Sequence, residues 1–245
     1  MNVVKIMGGL GNQFCQYAIG KYLEQFDSVG YDISYYDSEI NKNGSVAHRE
    51  LLLPKFVDNL VFASQEDRER VNQWEFEKGK PYENKFFFGD WQKADFFKGI
   101  DLGIHVNEDI MSEEARAVLE DIRRHKDSVA IHVRRTDYET LGWELPLDYY
   151  REAIEKTYSF PGFMNYYIFT DDPEWCRENF WGRVEHFDEL TDFYLMNQCK
   201  HQIIANSTFS FWAAYLNNNP DKKVIYPKEW RCTSNPCEGL PWIGV

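Results

Sequence analysis

Long apolar segments are missing from this sequence. None of its 245 residues lies in a run that approaches the roughly 18 to 20 apolar residues needed to span a bilayer. The chain also passes from MNVVKIM directly into glycines, without the apolar core of a signal peptide. We therefore expect no integral membrane segment and a cytoplasmic location.

Positive charge is scarce as well. The chain has 27 lysines and arginines against 40 aspartates and glutamates, which gives a formal net charge of −13. Such a balance opposes non-specific attraction to nucleic acid or to an anionic membrane. Nucleic acid is thus not an expected partner, and any anionic ligand must be bound by a local cluster of cations.

Metal and disulfide signatures are also absent. The five cysteines are odd in number and contain no C-x-x-C pair, so the pattern indicates neither a disulfide framework nor a structural zinc site. No Asp-x-Asp spacing occurs anywhere in the chain. Asp171 and Asp172 are adjacent and could form a metal pair, but their position before Pro173 favours helix capping. We expect no metal cofactor.

The sequence does contain an alternation of strands and helices. Residues 3–7 form a short apolar run, GGLG breaks it, and residues 12–26 carry apolar side chains at helical spacing. A second apolar run follows at residues 29–34, which predicts a βαβ unit. Further helices are predicted for the charged residues 64–77 and for residues 112–125, the latter with Ser112 as N-cap.

The second half repeats one pattern. Apolar strands at residues 128–133, 163–169 and 201–205 end in RRTDY, TDDP and NSTFS, and a further strand follows at 222–227. The pattern predicts an α/β fold. Because open parallel sheets bind ligands at the carboxyl ends of their strands, these polar residues are expected to line a ligand site.

Arg134 and Arg135 are the most prominent of these residues. Arginine remains charged at physiological pH, and its planar fork can contact two phosphate oxygens at once. At least one of the pair is expected to bind a diphosphate, although either could instead form an ion pair with a carboxylate such as Asp137. His132 could bind a ligand or fill the core. Asp137 could orient an arginine or act as a general base, with Glu139 and Glu144 as rivals.

Two further segments could contact an anionic ligand. Asn206, Ser207 and Thr208 precede an apolar helix, where they could act as caps or help to bind phosphate. Asp192 lies on a predicted helix, where it could be solvated or could accept two hydrogen bonds from a guanine edge.

The segment GGLGNQ, residues 8–13, has Gly9 and Gly11 in the positions of a phosphate-binding turn. The dinucleotide pattern G-x-G-x-x-G is incomplete because Phe14 replaces its third glycine, which weakens a nicotinamide oxidoreductase as an interpretation. Asn12 and Gln13 are expected to add polar ligand contacts.

In this order the motifs resemble a known family, the bacterial-type inverting α-1,2-fucosyltransferases that use GDP-fucose. The motifs that carry the resemblance are GGLGNQFCQYA, FFFGDWQ, HVRRTDY, LPLDYYREAI, FTDDPEWCRENF and DFYLMNQCKHQIIANSTFSFWAAYLN.

The resemblance implies a GT-B-like architecture of two Rossmann-type domains facing a cleft. We expect an acceptor-side domain at residues 1–111, rejoined by residues 227–245, and a GDP-fucose-binding domain at residues 112–226. The implied partners are GDP-fucose and a galactose-containing glycan, and peripheral contact with a lipid-linked acceptor remains open.

The resemblance also assigns roles to residues. Arg134 would contact the diphosphate, His132 and Asp192 the nucleoside, and Ser207 and Thr208 the phosphates. Asn12 and Gln13 would border the sugar and acceptor.

The family usually has glycine at the position of Thr136. The threonine makes this segment more similar to the related α-1,6-fucosyltransferases, so α-1,6 linkage is an alternative. A non-catalytic sugar-binding protein is another, because aromatic residues such as Trp91, Trp143, Trp175 and Trp212 could stack on sugar rings.

Overall fold

The computed structural model describes residues 1–43, 48–230 and 234–245, and it divides the chain into two compact units, Met1–His105 and Val106–Val245. Each unit contains a sheet of parallel strands together with helices. The predicted α/β class is therefore confirmed.

The first unit opens with the predicted strand, helix and strand. Its elements are β1 (Asn2–Lys5), α1 (Leu10–Leu23), β2 (Val29–Asp32), α2 (Glu39–Asn43), α3 (Gln65–Glu69), β3 (Asn72–Gln73) and β4 (Lys85–Phe87), with 3₁₀ turns at Leu53–Lys55 and Ala94–Phe96. The parallel sheet has the order β2-β1-β4-β3.

The charged segment at residues 64–77 is less helical than its pattern predicts. Only α3 forms, with a capping box in which Ser64 and Asp67 bond to each other's backbone amides. The chain then turns into β3, and the Trp74 amide donates to the carbonyl of Phe86 at 2.8 Å. Pairing with β4 thus competes with continuation of the helix.

The second unit contains the larger sheet. Its elements are α4 (Arg116–Arg124), β5 (Ser128–Val133), α5 (Thr136–Leu141), α6 (Leu147–Thr157), β6 (Asn165–Thr170), α7 (Pro173–Asn179), β7 (Arg183–Glu185), α8 (Glu189–Gln198), β8 (His201–Ile203), α9 (Thr208–Tyr215), β9 (Val224–Tyr226) and β10 (Ile243–Gly244). Two 3₁₀ turns, Glu108–Ile110 and Glu113–Ala115, precede α4.

The order of this sheet is β10-β9-β8-β5-β6-β7, with all neighbours parallel. The chain moves outward from β5 to β7, then crosses back to β8 on the other side of β5. Strand order therefore reverses between β5 and β8. Such a switch point opens a crevice at the carboxyl ends of the two strands, where α/β folds bind ligands.

The end of the chain differs from the sequence-based expectation. Residues 227–245 were predicted to rejoin the first domain, but β10 pairs with β9 in the second sheet. The amide of Val245 donates to the Tyr226 carbonyl at 3.0 Å, and the amide of Lys228 donates to Val245 at 2.8 Å. Residues 231–233 of this segment lie outside the described residues.

The start of the second unit also differs in detail. The first unit ends at His105, six residues before the predicted boundary at 111. Ser112 makes no side-chain cap, and its amide donates to Oγ1 of Thr191 at 2.8 Å. The first turn of the predicted helix is therefore 3₁₀, and the α-helix begins at Arg116.

Helices of the described residues are all short: the longest, α1, has 14 residues. None in that part of the chain is long and apolar enough to cross a membrane.

Candidate active site

The switch point of the second sheet brings the arginine segment and the segment before α9 together. Arg134 directly follows β5, and Asn206 and Ser207 lie between β8 and α9. Two contacts link these segments: the hydroxyl of Tyr138 donates to the backbone carbonyl of Asn206 at 3.3 Å, and the side-chain amide of Asn206 donates to the Trp143 carbonyl at 2.8 Å. The arginine segment and the start of α9 are therefore neighbours.

Arg134 is held at this edge by two carboxylates. Its Nη2 donates to Oδ2 of Asp137 at 2.8 Å, and its Nη1 lies 3.0 Å from Oδ2 of Asp171. Only 24% of the side chain is exposed. Burial opposes the charge, but the two carboxylates outweigh it and the pKa of Arg134 is raised. The guanidinium is thus a fixed cation that keeps limited access to solvent.

Arg135 is more completely engaged. Its Nε donates to Oδ2 of Asp172 at 3.0 Å, its Nη2 pairs with Glu139, and its guanidinium lies 4.0 Å from the ring centre of Trp175. The predicted alternative in which Arg135 forms ion pairs and shapes the loop describes this geometry. Arg135 therefore supports this loop through its ion pairs.

Asp171 connects the arginine segment to the neighbouring strand β6. Its Oδ1 accepts the Arg135 backbone amide at 2.9 Å, and its Oδ2 accepts the Thr136 hydroxyl at 2.7 Å as well as pairing with Arg134. Asp172 caps α7 by accepting the Trp175 amide at 3.2 Å, as the sequence predicted. The sequence missed the positioning role of Asp171, although its place at the end of a neighbouring strand was a signal.

His132 lies on β5 and is 6% exposed. Its Nδ1 is buried without a hydrogen-bond partner in the described part of the chain, and its ring is 5.5 Å from that of Phe209 on α9. Burial lowers the pKa of His132 to about 4, with Asp171 opposing and Arg134 adding to the shift. At neutral pH the imidazole is therefore uncharged, and Nδ1 can still make one hydrogen bond.

The start of α9 has the geometry of an anion site. Ser207 occupies the N-cap position, but its side chain makes no capping hydrogen bond. Thr208 is the first helical residue. Helix N-termini attract anions because their first amides are unpaired and the helix dipole is positive there. The buried, unpartnered Nδ1 of His132 next to Phe209 is a second polar group at this end.

Asp192 lies on α8 and is 9% exposed. Its Oδ1 accepts the amide of Phe187 at 3.2 Å. Burial raises the pKa of Asp192 to about 7, and the Phe187 amide opposes this only in part. Further hydrogen-bond donors would stabilise the ionised form of this buried carboxyl group.

In the first unit the glycine segment forms the turn between β1 and α1. Gly8 has φ +77°, where a side chain would be strained, and Gly9 is the N-cap of α1, with Gly11 in its first turn. Asn12 accepts the Gln92 side-chain amide at 3.2 Å.

Gln13 is buried and fully hydrogen bonded. Its Nε2 donates to the carbonyls of Gly8 and Glu50, and its Oε1 accepts the amides of Leu52 and Leu53 at 2.9 Å. The carboxamide has no donor or acceptor left for a ligand, so the expected substrate contact of Gln13 is replaced by a structural role.

Gln16 and Tyr36 at the carboxyl edge of the first sheet were not identified from the sequence. Gln16 is fully buried and joins two turns, since it accepts the Met7 amide at 2.8 Å and donates to the Gly89 carbonyl at 3.4 Å. The Tyr36 hydroxyl donates to the Gly8 carbonyl at 3.1 Å. Trp91 has φ +47°, which is uncommon for a bulky residue.

Asp171 and Asp172, at the carboxyl edge of the second sheet, form ion pairs with Arg134 and Arg135. Within residues 1–43, 48–230 and 234–245, no group of three or more His, Cys, Asp and Glu side chains is arranged to hold a metal ion.

Known proteins resemble this chain, over most of its length in one case and over less than half in another. The chain is 27% identical to the O-antigen biosynthesis glycosyltransferase WbnK of Escherichia coli, with 94% of this chain and 95% of WbnK covered. It is 34% identical to galactoside alpha-(1,2)-fucosyltransferase 1 of Saimiri boliviensis boliviensis over 132 residues, which cover 44% of this chain and 35% of the monkey protein.

Among solved structures, the chain is similar in fold to the NodZ alpha-1,6-fucosyltransferase soaked with GDP-fucose. The TM-score is 0.55 at 16% sequence identity, and 96% of each chain is covered.

The model of one family, Glycosyl transferase family 11, matches residues 1–233. Because this match covers almost the whole sequence, including both glycine and arginine motifs, the chain belongs to glycosyl transferase family 11.

Proposed function

We propose that the protein transfers L-fucose from GDP-β-L-fucose to a galactose hydroxyl of a glycan, with inversion and without a metal. The observation that carries the proposal is Arg134, a fixed cation at the switch point of a parallel sheet, beside the start of α9. A glycosyltransferase that releases a nucleoside diphosphate must stabilise the negative charge that develops on the leaving group.

The leaving diphosphate would be bound by Arg134 and by the first amides of α9, with the Ser207 and Thr208 hydroxyls beside them. Asp137 and Asp171 hold the guanidinium in place before the substrate binds. Such preorganisation stabilises the transition state because no reorientation is needed as charge develops. Arg135, Asp172 and Trp175 support the loop that carries Arg134.

The nucleoside would be recognised by His132 and Asp192. Neutral His132 offers Nδ1 without adding charge. The Asp192 carboxylate can accept two hydrogen bonds from the N–H groups at one edge of guanine. No other common base presents two adjacent donors in this way, so the interaction would select guanine.

In the transfer step the acceptor hydroxyl attacks the anomeric carbon of fucose from the face opposite GDP. The bond from carbon to acceptor oxygen forms as the bond to the phosphate oxygen breaks, and the hydroxyl proton passes to a carboxylate. We retain Asp137 as the base, with Glu139 and Glu144 as rivals. The ion pair between Asp137 and Arg134 equally supports an orienting role, which a pH profile of the Asp137→Asn variant separates.

The named relatives support this assignment. The monkey relative is an α-(1,2)-fucosyltransferase that acts on galactosides, and WbnK acts in O-antigen synthesis. We therefore propose α-1,2 linkage and a role in surface glycan synthesis, with a GT-B-like arrangement of the two units. The Thr136 hydroxyl donates a hydrogen bond to Asp171. Because a threonine at this position is similar to the α-1,6-fucosyltransferases, α-1,6 linkage is the second candidate.

The test is incubation of the purified protein with labelled GDP-fucose and a panel of galactosides in the presence of a chelator. We expect a fucosylated product whose α-1,2 linkage is identified by NMR. Transfer to a different position would correct the linkage. No transfer and no binding of GDP by calorimetry would reject the enzyme in favour of a sugar-binding protein.

A further inference from the structure

The chain that leads into α9 is held by residues that follow the two arginines. The hydroxyl of Tyr138 donates to the backbone carbonyl of Asn206 at 3.3 Å, and the Asn206 side chain donates to the Trp143 carbonyl at 2.8 Å. The hydroxyl of Tyr149 donates to the Ile204 carbonyl at 2.6 Å. These three hydrogen bonds join the chain after the arginines to the chain before α9.

Of the three bonds, the one made by Tyr149 is the shortest, and it is buried. Tyr149 lies in the first turn of α6 and is 8% exposed, and its ring packs edge to face against Tyr150 with centres 4.9 Å apart. Burial raises the pKa of Tyr149 well above its ordinary value. The hydroxyl therefore stays protonated at physiological pH and remains a hydrogen-bond donor.

Ile204 is the residue through which this bond acts on the fold. It follows β8 directly and lies three residues before Ser207, the N-cap of α9. Its amide donates to the Ile225 carbonyl in β9 at 2.9 Å, and its carbonyl accepts the Tyr149 hydroxyl. The peptide groups on both sides of Ile204 are therefore fixed, and they set the direction in which the chain leaves the sheet toward α9.

Helix α6 also packs behind both strands of the switch point. Tyr149 belongs to one hydrophobic core cluster with Val133 and Ala205, which directly precede Arg134 and Asn206 in the chain. A hydroxyl that ties the end of β8 to this helix restricts movement of the start of α9 relative to Arg134. Such restriction matters because preorganised donors stabilise a charge only when they are correctly placed.

We propose that Tyr149 is a positioning residue for the diphosphate site. Its hydroxyl fixes the chain before α9, and through it the first amides of that helix, at the place where they face the anion together with Arg134. This inference rests on the proposed function, since the anion is the diphosphate of the donor. Tyr149 is given no contact with a substrate.

The test measures the affinities of the whole protein for GDP and for GMP by calorimetry. Tyr149→Phe removes one oxygen atom, keeps the ring in the core and leaves the Ile204 carbonyl without this donor. We expect the preference of the variant for GDP over GMP to be smaller than that of the wild type by about threefold or more, which is roughly the factor that one hydrogen bond supplies.

Two other buried tyrosines provide matched controls. Tyr166, near the start of β6 in the same unit, has its hydroxyl 2.6 Å from that of Thr157, and Tyr17 in the first unit donates to the Leu102 carbonyl at 3.0 Å. Tyr166→Phe and Tyr17→Phe each remove one buried hydroxyl, as Tyr149→Phe does. Both controls should lower Tm and keep the wild-type preference for GDP.

The inference is overturned if Tyr149→Phe keeps the full preference for GDP. It is also overturned if either control loses that preference to the same extent, since lower stability alone would then account for the loss. A wild type that binds GDP no more tightly than GMP would reject the proposed diphosphate site, and this inference with it. Because that outcome is read in the wild type, a failure of the proposed function is distinguished from a failure at Tyr149.

Discussion

The carboxyl edges of the two sheets are built from the same strand and helix pattern but use different chemistry. At the second edge, arginines are held by aspartates on the same loop and on the neighbouring strand. At the first edge, side-chain amides of Gln13 and Gln16 bond to backbone groups and hold glycine turns. The second edge therefore presents fixed arginines, whereas the glycine turns of the first edge are held by neutral side-chain amides.

This difference teaches what each edge can bind. Fixed cations beside a helix N-terminus suit an anionic group such as a diphosphate. Turns held by neutral side-chain amides suit an uncharged group such as a glycan. Substitutions in the second unit should therefore impair donor chemistry, and substitutions in the first should leave donor affinity intact.

The largest effect is expected for Arg134→Ala. Loss of one preorganised donor to a developing charge commonly lowers turnover about a hundredfold or more. Arg134→Lys should recover little, because a point charge cannot reproduce the bidentate fork. Arg151→Ala is the control, since Arg151 is exposed and pairs only with Asp148 in the described part of the chain. Turnover of Arg134→Ala within tenfold of the wild type would reject the role.

Asp171→Asn should have the next largest effect. It weakens the hold on Arg134 and on the Arg135 amide, and hydrogen bonds to charged groups contribute about 1.5 to 3 kcal/mol each. We expect kcat for fucose transfer to fall about tenfold or more. If Asp171 acts through Arg134, the double variant should be no slower than Arg134→Ala alone, whereas additive losses would show an independent role.

Asp192 predicts a pH dependence of donor affinity. Its pKa in the folded protein is about 7, and only the ionised form accepts two guanine donors. GDP affinity should therefore fall as pH drops below about 7, by up to about tenfold per unit. The Asp192→Asn variant should bind GDP weakly. Its GDP affinity, measured by calorimetry from pH 6 to 8, should lack the pH dependence caused by Asp192. The dependence that remains in the variant reports the titration of GDP itself.

Stability provides the control for this variant. Because the folded-state pKa of Asp192 lies above its unfolded value, the folded protein binds the proton more tightly, and this contribution to stability is lost as pH rises through about 7. Removal of the charge should thus raise Tm at pH 8 relative to the wild type. A lower Tm would indicate that weak binding reflects damaged folding.

The smallest effect on donor binding is expected for Gln13→Ala in the first unit. The change leaves the buried amides of Leu52 and Leu53 without their acceptor. An unsatisfied buried group costs about 1 to 3 kcal/mol, so chemical denaturation should show lower stability. GDP affinity should stay within about twofold of the wild type, and a larger loss would remove the contrast between the two edges.

Local sequence patterns predicted much of this architecture. β5 begins and ends at the predicted residues, because its apolar run is bounded by charged groups on both sides. Pro173 begins α7, with Asp172 as its cap. By contrast, α5 was not predicted, since its six residues from Thr136 carry no clear apolar periodicity.

The contacts that fix the site were less predictable. Asp171 is 37 residues from Arg134 in the chain, and only the pairing of β5 with β6 brings them together. The engagement of Gln13 with Leu52 likewise depends on how a distant segment packs. A sequence pattern can identify groups able to bind a ligand, but tertiary contacts decide whether those groups are already occupied.

The most direct test of the central claim compares the binding of GDP and GMP by calorimetry in the wild type and in Arg134→Ala. If Arg134 holds the diphosphate, the wild type should bind GDP about tenfold or more tightly than GMP, and the variant should lose most of this preference. A preference for GDP that is as large in Arg134→Ala as in the wild type would contradict the account.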